Sequence, residues 1–145
     1  MATKYKFSYP MQPLLRPTGK VDKESGLPLF ILEENFIFYI NGEQYTIPVG
    51  LELDGASIPS WARWYITPFD PDILCSAILH DYIYTYAGGI LDGYRLDRTF
   101  TREEADQMLY DGCRALKMRY YKAKLVYWAV RIGGKSIWQK HLDSK

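Results

Sequence analysis

The sequence predicts an α+β fold, in which a small N-terminal antiparallel sheet is followed by about three packed helices. Runs of branched and aromatic residues, typical of strands, occupy the first third of the chain. An apolar stretch over 73–84 and periodic apolar patterns beyond residue 100 then indicate helices. Because 145 residues can form one core, we expect a single domain over 1–145, with strands and loops over 1–59 and helices over 60–140.

The strand prediction depends mainly on one hairpin. Asn41-Gly42 separates the β-prone runs 36–40 and 44–47, and this dipeptide favours the tight turn that joins two antiparallel strands. A third β-prone run covers 29–32. Repeated Pro and Gly residues over 1–27 predict short extended pieces separated by loops.

Two predicted helices follow residue 100. Thr101 and Glu104 match a capping box, in which each side chain binds a free backbone N–H of the first turn. The other helix is predicted over 120–139. Gly133-Gly134 lies inside it and indicates either a break in the helix or a close approach by another part of the chain.

The composition excludes some classes of protein. A net charge of +1 gives no strong attraction to nucleic acid or to an anionic membrane, so we expect no nucleic-acid partner. No apolar stretch has transmembrane length and no signal peptide is apparent, so we expect a cytosolic protein with reduced cysteines. A mild basic patch indicates a solvated helix end, with a phosphate or lipid contact as the alternative. The patch comprises Lys117, Arg119, Lys122 and Lys124.

His80-Asp81 is the strongest functional signal in the chain. It lies in the first predicted helix, which follows Pro71-Asp72, ends before Gly88-Gly89 and is apolar on nearly every face. Such a helix is usually buried. An imidazole and a carboxylate are costly to bury unless each has a partner. Tyr84 is four residues beyond His80 and therefore shares its face of the helix.

Asp106 is a second polar residue beside an apolar stripe, on the next predicted helix. If the two helices pack antiparallel, its carboxylate faces the imidazole of His80. The carboxylate would then fix the ring tautomer and stabilise the charged ring, which describes an oriented base. Asp81 would be left to bind a hard cation through oxygen. The alternative is a polar clamp that only fixes the register of the helices.

The segment Asp54-Gly55-Ala56-Ser57 also carries polar groups. It indicates either a simple turn or a loop in which Asp54 and Ser57 provide oxygens for a cation or donors for an oxyanion. We expect this segment to lie close to His80. No spacing of four close ligands suggests a zinc site.

Several of these residues belong to a larger ordered set. The set comprises Val49-Gly50, Asp54-Gly55-Ala56-Ser57-Ile58-Pro59, Ala77, Leu79-His80-Asp81-Tyr82-Ile83-Tyr84, Arg102-Glu103-Glu104-Ala105-Asp106, Ala129-Val130-Arg131 and Gly134. It resembles a family of phage and prophage proteins known only as domain of unknown function number thirteen-fifty-three, over roughly residues 28–138. The resemblance implies a tailed-phage or prophage origin and supplies no activity.

Four residues are also similar, position by position, to the His-Asp-x-Cys-Tyr helix and distant Asp of secreted phospholipases A2. They are His80, Asp81, Tyr84 and Asp106. That resemblance implies that His80 activates a water, that Asp81 binds calcium, and that Tyr84 and Asp106 orient the histidine. Ile83 stands in place of the Cys, and Asp54-Gly55-Ala56-Ser57 is the sole substitute for the Gly-rich calcium loop.

The expected function is therefore that of a phage-encoded hydrolase assisted by a divalent cation such as calcium, with a His/Asp/Asp/Tyr site. The alternative class is non-enzymatic, namely a virion or tail-assembly component or a phage factor that binds a host protein. Thirteen Tyr and four Trp could serve such binding or simply build a core of large rings. The expected partners are phage structural proteins or a host protein, located in the host cytoplasm or the virion.

Overall fold

The computed structural model describes residues 1–23, 26–53, 58–59, 61–63, 65–67, 69–85 and 100–143. Strands come first and helices follow, which confirms the predicted α+β class. The strands are β1 (Phe7–Ser8), β2 (Leu15–Val21), β3 (Pro28–Leu32), β4 (Phe36–Ile40), β5 (Glu43–Ile47) and β6 (Glu52–Leu53). The helices are α1 (Leu74–Thr85), α2 (Arg102–Ala115), α3 (Tyr120–Gly133) and α4 (Lys135–Asp143).

The strands form two antiparallel sheets of three strands, where the sequence suggested one small sheet. The strand orders are β1-β4-β5 and β2-β3-β6. The predicted hairpin joins β4 to β5 and pairs Phe38 with Tyr45. Its turn residues Asn41 and Gly42 have φ angles of 53° and 81°, the left-handed conformations that this dipeptide favours. Two sheets result because β3 pairs with β2 and β6, and not with its neighbour β4.

The sheet that contains β4 packs its aromatic side against α1. Alternate residues Phe36, Phe38 and Ile40 are buried, as the two-residue period of a strand requires. The rings of Phe36 and Phe38 stack with centroids 5.6 Å apart and belong to the same core cluster as Ile78 and Leu79 of α1. Part of the aromatic content therefore builds the core.

Helix α1 is buried on all sides, as its apolar sequence predicts. Every side chain from Cys75 to Tyr84 is buried. The helix lies between the sheet core and a second core cluster, to which α2 and α3 contribute. It begins at Leu74, and its last described residue is Thr85. The residues predicted to close it, Gly88-Gly89, lie outside the described residues.

Helix α2 begins with the predicted capping box. The backbone N–H of Glu104 donates to Oγ1 of Thr101, and the N–H of Thr101 donates to the Glu104 carboxylate, each at 3.1 Å. Farther along, the Asp111 carboxylate accepts backbone N–H groups of Lys4 and Tyr5 at 2.9 and 2.7 Å. Sequence reasoning did not single out Asp111, which fixes the N-terminal segment on α2.

The helix predicted over 120–139 is two helices. Helix α3 ends at Gly133 and α4 begins at Lys135. A Cβ atom on Gly133 would lie 2.6 Å from Cγ of Pro59, and one on Gly134 would lie 2.7 Å from Oη of Tyr84. Both alternatives for the two glycines are therefore realised, since the helix breaks and neighbours approach closely. Among the described residues, no helix has both the length and the apolar character to cross a membrane.

Candidate functional site

A buried network centred on Asp106 joins α1, α2 and α3. Oδ1 of Asp106 lies 2.7 Å from Nε2 of His80 and accepts a hydrogen bond from the Tyr84 hydroxyl, also at 2.7 Å. Its other oxygen, Oδ2, accepts a hydrogen bond from Nη1 of Arg131 at 2.9 Å. The side chains of His80 and Asp106 are 1% and 0% exposed. The predicted contact between the histidine and the distant carboxylate is thus confirmed.

The helices bring these groups together by packing antiparallel. As α1 advances from His80 to Tyr84, its partners on α2 recede from Asp106 to Arg102, whose Nε donates to the Tyr84 hydroxyl at 3.1 Å. His80 and Tyr84 are one turn apart, so their rings lie side by side with centroids separated by 4.2 Å. Both therefore reach the same carboxylate.

Helix α4 covers the tyrosine of this network. The ring of Trp138 meets the ring of Tyr84 edge-on, with centroids 5.1 Å apart. Burial, followed by the charge of Asp106, raises the pKa of Tyr84. The hydroxyl therefore stays protonated and remains a hydrogen-bond donor to the carboxylate.

Asp106 is ionised in the folded protein. Burial acts to raise its pKa, but the hydrogen bond and charge of His80, with hydrogen bonds from Tyr84 and Arg131, outweigh burial and lower the pKa. An ionised carboxylate can only accept hydrogen bonds. Nε2 of His80 must therefore carry the proton in the neutral ring, which leaves a lone pair on Nδ1.

Nδ1 of His80 has no hydrogen-bond partner within the described part of the chain, although it is buried. A buried polar atom without a partner costs about 1–3 kcal/mol. Oγ1 of Thr46 and Oδ1 of Asp72 are buried without a partner in the same way. A buried atom of this kind calls for an explanation, such as a bound water, an ion or a catalytic role. In the neutral form of the ring, the network therefore orients a basic nitrogen that lies buried, since the side chain of His80 is only 1% exposed.

Two arginines of the site were missed as site residues. Nη1 of Arg131 contacts Asp106 directly, and Nη2 of Arg102 donates to the carbonyl oxygens of Val130, at 3.0 Å, and of Arg131. These carbonyls lie near the end of α3, and that of Val130 also accepts the backbone N–H of Gly134 at 2.8 Å. The sequence could have indicated both arginines as site residues. Arg102 is four residues before Asp106 on the same helix, and Arg102 and Arg131 both belong to the ordered set that resembles the family.

Of the three predicted cation ligands, Asp81, Asp54 and Ser57, the structure describes only Asp81. Asp81 is buried next to His80 on α1 and is 7% exposed. Asp54 and Ser57 lie outside the described residues, so their expected closeness to His80 stays a prediction. Within the ranges given above, no group of three or more His, Cys, Asp or Glu side chains could hold a metal ion.

The tautomer of His80 can be checked by NMR. We expect the neutral ring to carry its proton on Nε2, because Asp106 can only accept. Long-range ¹H–¹⁵N correlation spectra report this directly. The chain has two histidines, so the His141→Gln variant assigns the signals. A proton on Nδ1 in the neutral ring would contradict the orientation of the site.

Comparisons with known proteins identify a family whose description gives no function. A curated relative, the uncharacterised protein y4jT of Sinorhizobium fredii (strain NBRC 101917 / NGR234), is 32% identical over 121 residues. The match covers 81% of this chain and 32% of the relative, so the chain spans about a third of that relative's length. No solved structure gives a significant match. A family model described as "Protein of unknown function (DUF1353)" matches residues 30–130, and the chain belongs to that family.

Proposed function

We propose that the chain is a hydrolase in which Nδ1 of His80 acts as a general base. The observation that supports the proposal is the state of the imidazole. Nε2 lies 2.7 Å from the Asp106 carboxylate, whereas Nδ1 has no partner among the described residues and carries a lone pair whenever the ring is neutral. A general base needs an oriented free nitrogen and a stabilised conjugate acid. Asp106 serves both needs.

The proposed reaction is the hydrolysis of an ester. Nδ1 of His80 takes a proton from a water molecule as the water oxygen bonds to the acyl carbon. The carbon–oxygen bond to the alcohol then breaks, and the alcohol oxygen takes the proton from Nδ1. The products are a carboxylic acid and an alcohol, and His80 returns to its neutral form. Between the two steps the charged ring is stabilised by Asp106.

We write this reaction without a metal ion because, of the predicted cation ligands, only Asp81 lies among the described residues. Asp81 is a single buried carboxylate, and no described cluster of three ligands accompanies it. A calcium site needs six or more oxygens. Assistance by calcium through Asp81, with oxygens from Asp54 and Ser57, stays a prediction, and so does the similarity to phospholipases A2.

The test uses p-nitrophenyl acetate as the probe, with and without added calcium. We expect His80→Gln to lower the rate at least 100-fold, the lower limit for loss of a general base. His141→Gln is the matched control, since His141 lies on α4 and makes none of the hydrogen bonds described above, and it should retain the rate. Circular dichroism checks that each variant folds. A wild-type rate equal to that of free imidazole, or an active His80→Gln variant, would show that the proposal is wrong.

A second candidate function is non-enzymatic, and one feature of the network favours it. Arg131 already neutralises Asp106 at 2.9 Å, so the carboxylate is less able to stabilise a charged histidine. The network would then be the polar clamp of three helices, and the protein would act by binding a partner. In that case His80→Gln lowers stability and no esterase rate is measured.

The origin and setting of the protein are further proposals. The sequence resemblance supports a phage or prophage source. A role in the virion or in tail assembly, a host-protein partner, and a location in the host cytoplasm or the virion would follow from that source. Detection of the chain in purified particles by mass spectrometry would test the virion role.

A further inference from the structure

Helix α3 carries a row of large apolar side chains on the side that faces away from the core. They are Tyr121, Leu125, Trp128 and Ile132, which are 62%, 48%, 52% and 69% exposed. Their spacing of four, three and four residues aligns them along one face of the helix. The row extends over about 16 Å, at a rise of about 1.5 Å per residue. We call it the α3 stripe. Continuous patches of this kind, unlike single exposed residues, mark interaction sites.

The α3 stripe lies in the most basic part of the chain. No acidic residue occurs over 112–142, and eight basic residues do, although the whole chain has a net charge of only +1. The eight are Arg114, Lys117, Arg119, Lys122, Lys124, Arg131, Lys135 and Lys140. Arg131 pairs with Asp106, and Lys122 pairs with Asp72 at 3.1 Å. Lys117, Arg119 and Lys135 are exposed.

We propose that the α3 stripe docks this protein on the surface of an anionic lipid bilayer. The apolar side chains would enter the boundary between headgroups and acyl chains, while the neighbouring cations meet the anionic headgroups. Helices that lie in the plane of a membrane combine these two features, a Trp- and Leu-bearing apolar side and a Lys- and Arg-bearing flank. The proposal concerns a surface apart from His80 and does not depend on the hydrolase.

Area and shape argue against a protein in the same place. The four side chains expose an apolar area on the order of 400 Å², about half of the ~800 Å² that each partner buries in a standard complex. A partner helix usually lies in a groove, whereas the α3 stripe is the crest of one helix. A second copy would also bring its own basic segment against this one.

The test is co-sedimentation with lipid vesicles at low and high salt. We expect binding to vesicles of equal parts phosphatidylglycerol and phosphatidylcholine, and much weaker binding to phosphatidylcholine alone. High salt should weaken the binding, because attraction to a charged surface falls off within a Debye length. No binding to the anionic vesicles at low salt would overturn the proposal, as would equal binding to both compositions.

Variants locate the contact. The double variant Trp128→Ser/Ile132→Ser should weaken vesicle binding at least tenfold. The double variant Arg119→Gln/Lys124→Gln should weaken vesicle binding about fivefold for each charge removed. The matched control is Val21→Ser, which removes an apolar side chain that is 58% exposed on β2, and it should bind like the wild type. Equal binding by the stripe variants and the control would overturn the proposal.

Fluorescence reports the depth of the contact without disrupting it. Anionic vesicles should shift the tryptophan emission to shorter wavelength, and Trp128→Phe should lose most of that shift while still binding. The comparison isolates Trp128 among the four tryptophans. If vesicles leave the emission unchanged and the chain instead forms stripe-dependent dimers in sedimentation velocity, the surface is an interface between copies, and the proposal is wrong.

Discussion

Replacing Asp106 with Ala is expected to lower the free energy of unfolding by several kcal/mol, since each buried polar group left without a partner costs about 1–3 kcal/mol. The carboxylate accepts hydrogen bonds from His80, Tyr84 and Arg131. Without it, a buried ring, a buried hydroxyl and a guanidinium group lose their acceptor together. Arg131 is 26% exposed and water can solvate it in part, so most of the loss comes from the two buried rings. Urea denaturation at neutral pH measures the change.

Two further variants test whether the loss of stability comes from the carboxylate of Asp106. Asp106→Asn keeps one oxygen acceptor and should cost less than the Ala variant. Glu103→Ala changes an exposed acidic residue on the same helix and should stay within about 0.5 kcal/mol of the wild type. A loss below about 0.5 kcal/mol for Asp106→Ala would mean that the network does not stabilise the fold.

The stabilisation that Asp106 gives the folded protein should decrease at low pH. Its pKa is lower in the folded protein than its ordinary value. Its stabilising effect is therefore fully present above the unfolded pKa of about 3.9 and is lost as the pH falls through the lower, folded pKa. We expect the difference in stability between the wild type and Asp106→Asn to shrink below about pH 4. A difference that grows in acid would contradict the assignment.

Replacing Gly112 with Ala is expected to destabilise the protein by about 1–3 kcal/mol, although Ala is favoured over Gly within a helix by about 1 kcal/mol. The added Cβ would lie 2.2 Å from Oγ of Ser76 and 2.5 Å from Oη of Tyr9. Those two atoms are hydrogen-bonded to each other at 2.8 Å, so neither can move without breaking that bond. The strain would separate α1 from α2. Urea denaturation measures the loss.

A double variant shows whether the close contact causes the Gly112 effect. Ser76→Ala removes the nearest atom, so Gly112→Ala should cost less in that background than in the wild type. A higher stability of Gly112→Ala alone would show that helix propensity prevails and that the helices tolerate a wider separation.

Local patterns were sufficient for much of the fold. The Asn41-Gly42 turn and the capping box of Thr101 and Glu104 each depend on residues within a few positions of one another. The burial of α1 followed from its uniformly apolar sequence. The contact of His80 with Asp106 was predictable because each is a polar exception on a helix that must pack against another.

Other features depend on residues that no local pattern connects. Nothing in the sequence of β3 distinguishes β2 and β6 from β4 as its partners. Asp111 looks like an ordinary helix residue until the N-terminal segment reaches it, 106 and 107 positions away.

For the candidate site, the sequence by itself determined the chemical groups, namely a histidine and a tyrosine one turn apart on a buried helix and a carboxylate on the next. Only the tertiary structure decided their states. Arg131 reaches Asp106 because α3 packs on α2, and its hydrogen bond, with those of His80 and Tyr84, keeps the carboxylate ionised. That charge places the proton of neutral His80 on Nε2 and leaves the lone pair on Nδ1, because the ionisation of a buried group depends on all the charges and donors packed around it.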